Sequence, residues 1–125
     1  MTRYKSQGFN NTFRNARKGF NLAVRSEINI RIHVVVAISV LVFAWYLKFS
    51  AVEFCIVLFA IALVICSEML NTAIEFALDS IYHNRYSRMV GMAKDISAGA
   101  VMFATFISVA IGIILFGGKI ITFIP

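Results

Sequence analysis

Five polar side chains that could do chemistry recur along one apolar segment of the 125-residue sequence. They are Glu68, Asn71, Thr72, Glu75 and Asp79, at spacings of one, three or four residues. At 100° per residue in an α-helix, these spacings place all five on one stripe about 100° wide that runs for about three turns. The segment therefore predicts a helix that carries three carboxylates, an amide and a hydroxyl on one face.

The residue types on this stripe suit a divalent cation and a proton transfer. Mg²⁺ is usually bound through one or two carboxylates together with the phosphates of a substrate. A carboxylate that holds no metal could act as a general base toward a hydroxyl. An ionisable residue at membrane depth costs about 2.5–3.5 kcal/mol, so several of them on one face need a wet or metal-bearing environment. A solvated helix end is the alternative for Asp79, but it does not account for Glu68, the deepest member.

Two further polar clusters flank the other apolar runs. Lys94 and Asp95 begin the last run, where Asp95 could instead favour the first turn of a helix. Glu27, Arg31 and His33 lie at the start of the first run. Glu27 and Arg31 are four residues apart and could form a simple salt bridge, and His33 taken alone is more typical of an interfacial histidine than of a ligand.

Three long apolar segments would position these clusters. The chain is 60% apolar and 14% charged, with a mean hydropathy of +0.82, whereas a soluble domain carries about 25% charged residues. This composition excludes a soluble globule and a disordered chain. Residues 32–49, 53–79 and 95–116 are each long enough to cross a hydrocarbon core of about 30 Å, and Gly117-Gly118 predicts the end of the last span.

The N-terminal arm has a different pattern. Within residues 9–25, apolar side chains recur every three or four residues and basic side chains lie mostly off that stripe. This pattern is typical of an amphipathic helix on a membrane surface. We expect one all-α integral membrane domain over residues 1–125, with this surface helix and three transmembrane helices.

The charge distribution predicts an orientation and limits the function classes. Ten of the twelve Lys and Arg residues lie in the N-terminal arm or in residues 80–94, so the positive-inside rule places both in the cytoplasm and the C-terminus outside. The basic arm has no recognisable nucleic-acid-binding module, so we expect no nucleic-acid partner. A non-catalytic, ion-conducting oligomer is the distant alternative, but its polar residues should continue through the depth of a span, whereas here they stop at Glu68.

The polar pattern resembles the signature of the bacterial diacylglycerol kinase family, which includes undecaprenol kinases. The matching residues are Glu68-x-x-Asn71-Thr72-Ala73-x-Glu75-x-x-x-Asp79, then Ala93-Lys94-Asp95-x-x-Ala98-Gly99-Ala100-Val101, with Lys18-Gly19 and Ser26-Glu27-x-x-x-Arg31 before them. The resemblance extends from about residue 8 to residue 116. It implies a multi-pass homotrimer in the bacterial inner membrane, with active sites shared between protomers, that transfers the γ-phosphoryl group of ATP to a lipid hydroxyl with Mg²⁺ as cofactor.

The resemblance also implies a role for each polar residue. Glu68 would be the catalytic base and would meet the lipid acceptor together with Ser97. The remaining roles are metal binding by Glu27 and Glu75, nucleotide or phosphate binding by Lys18, Asn71, Lys94 and Asp95, and support by Arg31, Thr72 and Asp79.

Two departures from the family pattern bear on the acceptor and the nucleotide. An acidic residue stands at the position of His33 in the best-known diacylglycerol kinases, and a histidine there is more similar to the undecaprenol-kinase branch. The loop over residues 81–91 is basic, whereas the family often has an acidic stretch there, so the adenine contacts and the role of His83 stay open. Diacylglycerol is the first expected acceptor and undecaprenol the alternative.

Overall fold

The computed structural model describes residues 8–125, which form four α-helices. They are α1 (Phe9–Ser26), α2 (Ile28–Tyr46), α3 (Ala51–Tyr82) and α4 (Arg88–Phe123). Helices α2, α3 and α4 are each long and apolar enough to cross a membrane. The expected all-α fold with three spanning helices and a separate N-terminal helix is therefore confirmed.

Helix α1 has nearly the predicted bounds, 9–26 instead of 9–25. Its apolar side chains Phe9 and Phe13 are largely exposed, whereas Ala23 near its end is buried. Helix α1 ends because Glu27 adopts an extended backbone, with φ −121° and ψ 117°, and α2 begins at the next residue. The exposed apolar face of α1 fits the expected position on a membrane surface, which stays a prediction.

The bounds of helix α2 differ at both ends from those of the predicted first span, 32–49. Helix α2 begins four residues earlier, at Ile28, and ends at Tyr46. The run of apolar residues does not include the first turn of this helix, because Asn29 and Arg31 are polar. Both residues are exposed in the structure. At the other end the chain turns back through Lys48, whose φ is 60°, so residues 47–49 belong to a turn and not to the helix.

Helix α3 extends beyond the predicted 53–79 at both ends. The Ser50 Oγ accepts from the Glu53 N–H, and the Glu53 carboxylate accepts from the Ser50 N–H, both at 3.2 Å. This capping box satisfies two backbone donors and starts the helix at Ala51. The helix ends at Tyr82, because His83 and Asn84 adopt the left-handed conformation with φ of 51° and 62°.

Helix α4 is much longer than the predicted 95–116. It begins at Arg88, where Ser87 caps it by accepting from the Val90 N–H at 3.2 Å, so Asp95 lies beyond the first turn and its alternative role there is wrong. The helix also continues through residues 117–118 to Phe123, so the prediction that the glycine pair ends it is wrong. Glycine lowers helix propensity by about 1 kcal/mol relative to alanine but does not by itself end a helix.

The three spanning helices pack most closely along α3, which contacts both α4 and α2. At one end, Ala44, Leu47, Phe49 and Val57 form a buried apolar cluster, and the ring of Phe116 lies 4.7 Å from that of Phe49. Many large apolar side chains on the outer surface are exposed, as a membrane protein requires. The apolar cluster leaves the opposite half of α3 for the polar stripe.

Candidate active site

The polar stripe lies on one continuous helix, as its spacing predicted, because α3 extends without a break from residue 51 to residue 82. The side chains of Glu68 and Thr72 are buried, and those of Asn71, Glu75 and Asp79 are half-buried. The stripe therefore faces the neighbouring helices and is not fully exposed. Partners on α2 and α4 determine how each polar group is held.

Glu68 is held from α2. Its Oε1 lies 3.3 Å from Nε2 of His33, and only 8% of the residue is exposed. A buried carboxylate needs a polar partner, because desolvation of an unpaired charge is costly. The imidazole of His33 is that partner, and it fixes the position of the Oε1 that faces α2.

Sequence reasoning missed this contact. Taken alone, His33 is more typical of an interfacial histidine, and the periodicity of one helix does not reveal which residue of another helix it meets. One signal could have found it: His33 is the only Asp, Glu, Lys, Arg or His between Arg31 and Lys48. A lone titratable residue inside a span is a functional-site hypothesis by default, and its partner should be sought on the other spans.

Asn71 links α4 to Glu75. The buried Ser97 hydroxyl on α4 donates to Asn71 Oδ1 at 2.7 Å, so the amide nitrogen faces the other way. That nitrogen donates to Glu75 Oε1 at 3.4 Å. The three side chains are joined by two consecutive hydrogen bonds that lead from α4 to a carboxylate on α3. This arrangement leaves the second carboxylate oxygen of Glu75 available to a ligand.

Asp79 and Lys94 connect α3 to α4 at the end of the stripe. The Lys94 ammonium donates to Asp79 Oδ1 at 2.7 Å, and both side chains remain more than one-third exposed. At this exposure the pair contributes about 1 kcal/mol or less to stability. The ammonium therefore remains accessible to an anion beside the stripe.

The other predicted site residues are not brought to the stripe by contacts within residues 8–125. Glu27 is half-buried at the junction of α1 and α2. Lys18, Arg31 and Asp95 are exposed, and no side-chain hydrogen bond or ion pair joins them to other described residues. The possible salt bridge between Glu27 and Arg31 is absent from this part of the chain; Glu27 instead caps α2, and its backbone carbonyl accepts from the Arg31 N–H at 3.3 Å. Lys18 borders a shallow cleft on α1 together with Asn21, Leu22 and Arg25.

The carboxylates near the stripe fit a magnesium ion that is shared with substrate phosphates. In residues 8–125, no three His, Cys, Asp or Glu side chains form a metal-binding group. A complete protein cage is therefore not offered by this part of the chain, but Mg²⁺ seldom uses one and needs only one or two carboxylates beside phosphate oxygens and waters. Glu75, with its second oxygen available, is a donor of that kind.

This arrangement can remove a proton and neutralise a polyphosphate within one small region. A buried carboxylate held by an imidazole is suited to accept a proton from a hydroxyl that approaches through lipid. The Glu75 carboxylate lies about two turns farther along α3, and the Lys94 ammonium of α4 meets α3 one turn beyond it, at Asp79. Together this carboxylate and this ammonium offer a site for metal-bound phosphates. Phosphoryl transfer needs mostly such positioning and charge neutralisation.

Comparisons with known proteins agree with this chemistry. Residues 14–116 match the family model described as prokaryotic diacylglycerol kinase. The chain is similar to an undecaprenol kinase of Bacillus subtilis, with 33% identity over 112 residues, which cover 90% of each protein. It is also similar to a diacylglycerol kinase of Escherichia coli K12, with 32% identity over 92 residues, 74% of this chain and 75% of that protein. A diacylglycerol kinase of Synechocystis is 33% identical over 101 residues, 81% of this chain but only 58% of that longer protein.

Proposed function

We propose that this chain, which belongs to the prokaryotic diacylglycerol kinase family and is a lipid kinase, transfers the γ-phosphoryl group of ATP directly to the hydroxyl of a membrane lipid. The observation that carries this proposal is the buried Glu68 carboxylate, which lies against His33 on a membrane-spanning helix. Ionisable residues within membrane-spanning segments are rare and typically mark functional sites. Glu68 fits a base that must meet a hydroxyl arriving from the bilayer.

The depth of Glu68 supports this role. At 1.5 Å per residue, α3 with its 32 residues is about 48 Å long, which exceeds a hydrocarbon core of about 30 Å. Counted from Ala51, Glu68 lies about 25 Å along the helix. If the core begins near Ala51, Glu68 lies just inside its other boundary and Asp79 lies beyond it. A lipid hydroxyl and a water-soluble nucleotide meet at that boundary.

In the proposed reaction, Glu68 accepts the proton of the lipid hydroxyl as the lipid oxygen bonds to the γ-phosphorus. The bond between that phosphorus and the β,γ-bridging oxygen breaks, and ADP leaves with the electron pair. His33 acts as a positioning residue that keeps the Glu68 carboxylate directed at the hydroxyl. No phosphorylated form of the protein is part of this reaction.

The phosphates of ATP would lie beyond Glu68 along the stripe. Glu75, with Glu27, would hold Mg²⁺, and the bound ion would neutralise the charge that develops on the phosphates. Asn71 would orient Glu75, and Lys94 would contact a phosphate oxygen. Lys18 and Asp95 are further nucleotide contacts on this proposal, while Arg31, Thr72 and Asp79 support the site.

We further propose a homotrimer in the bacterial inner membrane, with active sites shared between protomers. The small residues of α4 support an oligomer, since Ala98, Gly99, Ala100, Ala104 and Ser108 recur along this membrane-spanning helix. Small side chains of this kind would let a helix of a second protomer approach closely. The excess of Lys and Arg in the N-terminal arm and in residues 80–94 favours a cytoplasmic N-terminus and an external C-terminus.

Diacylglycerol, giving phosphatidic acid, is the first candidate acceptor, and undecaprenol is the second. Two observations favour the second candidate. The undecaprenol kinase of Bacillus subtilis is matched over 90% of both chains, and the position beside Glu68 holds the imidazole of His33. Both acceptors offer one primary hydroxyl at the membrane boundary, so the same reaction serves either lipid.

A labelling experiment with matched variants tests the proposal. The purified protein in mixed micelles is given γ-labelled ATP, Mg²⁺ and one lipid at a time, and the label in the lipid fraction is measured. We expect label in one or both lipids, and loss of about 10²-fold or more in Glu68→Gln. Glu53→Gln is the control, because Glu53 lies at the other end of α3 and should leave turnover unchanged. Full activity of Glu68→Gln would contradict the assignment of the base.

A further inference from the structure

Helix α1 carries a basic face on the side opposite its apolar side chains. At 100° per residue, Phe20 and Ala23 lie within about 40° of Phe9, whereas Lys18 and Arg25 lie about 160–180° from it. Ala23 is buried, and α1 packs against α2. Because the apolar side of α1 is the side that packs, the basic face points away from the spanning helices.

The positive charge of this face is not neutralised within residues 8–125. Helix α1 contains four basic side chains and no acidic one. Lys18 and Arg25 are exposed, and no ion pair joins either of them to a carboxylate of the described chain. Both border the shallow cleft on α1, together with Asn21 and Leu22. This α1 cleft therefore offers two full positive charges to an anion.

The polar side chains of the α1 cleft match a phosphate monoester. Lys18, Asn21 and Arg25 lie within about 60° of helix surface and about 10.5 Å of helix length, and each offers N–H donors. A phosphate monoester carries a charge of about −1.5 to −2 and has three acceptor oxygens. The two cations balance that charge, and the three donor groups match those oxygens. A phosphate diester has one negative charge and two such oxygens, so it fits the cleft less well.

The expected depth of α1 favours a lipid as the source of that phosphate. In the surface position expected for α1, its apolar side enters the hydrocarbon core and its axis lies near the core boundary. The headgroup layer beyond the boundary is about 5–7.5 Å thick, and a helix extends about 5–6 Å from its axis. The α1 cleft then lies within the headgroup layer. Leu22, which is 58% exposed there, offers an apolar contact for the part of a lipid next to its phosphate.

We infer that the α1 cleft binds the headgroup of a lipid phosphate monoester, which is the class of lipid that the proposed reaction produces. The regulatory consequence of this binding rests on the proposed function, whereas the binding itself does not. Lys18 is also a proposed nucleotide contact, so a lipid phosphate in the cleft withholds it from ATP. The product then inhibits the kinase in competition with ATP, and the reaction slows as lipid phosphate accumulates in the membrane.

Arg25→Gln tests the cleft, and Arg17→Gln is its matched control. Each change removes one positive charge from an exposed position of α1. Arg25 borders the cleft and has no part in the proposed reaction, whereas Arg17 lies outside the cleft, about 80° around the helix. Arg17 is the nearer of the two to the apolar side. A diffuse attraction to anionic lipid would therefore depend on Arg17 at least as much as on Arg25.

The experiment measures the retention of radiolabelled dioleoyl phosphatidate by the immobilised protein in micelles of a neutral detergent. We expect Arg25→Gln to raise the apparent dissociation constant about fivefold, the effect of one exposed charge pair, and Arg17→Gln to raise it less than about twofold. Phosphatidylglycerol, a diester, and glycerol 3-phosphate, a soluble monoester, should each compete at least about fivefold less well. In steady-state kinetics, phosphatidate should raise the KM for ATP, and Arg25→Gln should need about five times more of it for the same rise.

The outcomes separate this inference from the proposed function. Equal losses in Arg25→Gln and Arg17→Gln, or equal competition by phosphatidylglycerol, would identify a diffuse attraction and overturn the cleft site. Equal competition by glycerol 3-phosphate would overturn the lipid as the ligand. Inhibition that competes with the acceptor lipid and is unchanged in Arg25→Gln would overturn the regulatory role. If the wild-type protein labels no lipid but retains phosphatidate with the expected differences, the proposed function fails and the cleft site stands.

Discussion

The contact between His33 and Glu68 makes the most specific prediction about catalysis. Replacing His33 by Leu removes the nitrogen that lies 3.3 Å from the carboxylate and leaves a side chain of similar size in its place. Glu68 is then a buried carboxylate without its partner on α2. The stability of α2 and the binding of ATP do not depend directly on this contact.

The expected magnitude follows from the burial of Glu68. A buried polar group that loses its partner forfeits about 1–3 kcal/mol. If that energy appears as loss of the productive orientation of the base, kcat falls by about five- to 150-fold. The KM for ATP should change less than about twofold, because the phosphate-binding residues lie farther along α3 and keep their own partners.

The assay measures kcat and KM for both substrates in His33→Leu and His33→Gln. Gln carries a donor nitrogen that can reach the carboxylate, so it should recover a substantial part of the lost kcat. Size-exclusion in detergent checks that both variants keep the wild-type assembly. Equal activity of the two variants, or a change confined to the KM for ATP, would refute the positioning role of His33.

Three further contacts give predictions that can be checked on the same preparations. Lys94→Met should raise the KM for ATP by about 10- to 160-fold, because it removes a phosphate contact worth about 1.5–3 kcal/mol. Asp79→Asn should change that KM much less, and equal effects of the two variants in steady-state kinetics would show that Lys94 acts only as the partner of Asp79. Ser97→Ala removes a buried hydrogen bond worth about 1 kcal/mol, so thermal unfolding in detergent should begin earlier and kcat should fall several-fold. Lys119→Met breaks the 3.3 Å ion pair with Glu53. It should lower the free energy of unfolding in a denaturation curve by about 1 kcal/mol or less and leave kcat unchanged. A loss of activity would contradict the placing of the reaction at the other end of α3.

Helical periodicity was sufficient for features that lie within one helix. The stripe from Glu68 to Asp79 is such a feature, because its members share a helix and their angular positions follow from 100° per residue. The number of spans was also predictable, since apolar runs of this length have few alternatives to a membrane helix. Both predictions depend only on local sequence.

Contacts between helices were beyond the same reasoning. Ser97 was expected to meet the lipid, and its hydroxyl instead donates to Asn71 on another helix, while its contact with the lipid stays a prediction. The contact of His33 with Glu68 was beyond sequence reasoning for the same reason, because the rotation of α2 against α3 depends on packing over the whole interface. Single-helix patterns state which face is polar, but they do not state which residue of the next helix lies opposite.

Helix ends were mispredicted where a local signal competed with the environment. Residues 117–118 are glycines that would often end a helix in water, yet α4 continues to Phe123 and brings Lys119 to within 3.3 Å of Glu53. Glycine costs a helix only about 1 kcal/mol relative to alanine, so two glycines do not stop it. At the start of α2 the error was in the other direction, since the predicted span was too short. The charge of Arg31 placed the predicted start after it, whereas the helix begins at Ile28.

The central claim is direct phosphoryl transfer to a lipid with Glu68 as the base. Its most direct measurement follows the γ-label of ATP in lipid, protein and free phosphate over one time course, in the wild-type protein and in Glu68→Gln. The account predicts that lipid phosphate and ADP form in equal amounts, that the protein carries no label and that Glu68→Gln forms neither product above background. Label on the protein itself, or lipid phosphate formed at the wild-type rate by Glu68→Gln, would contradict it.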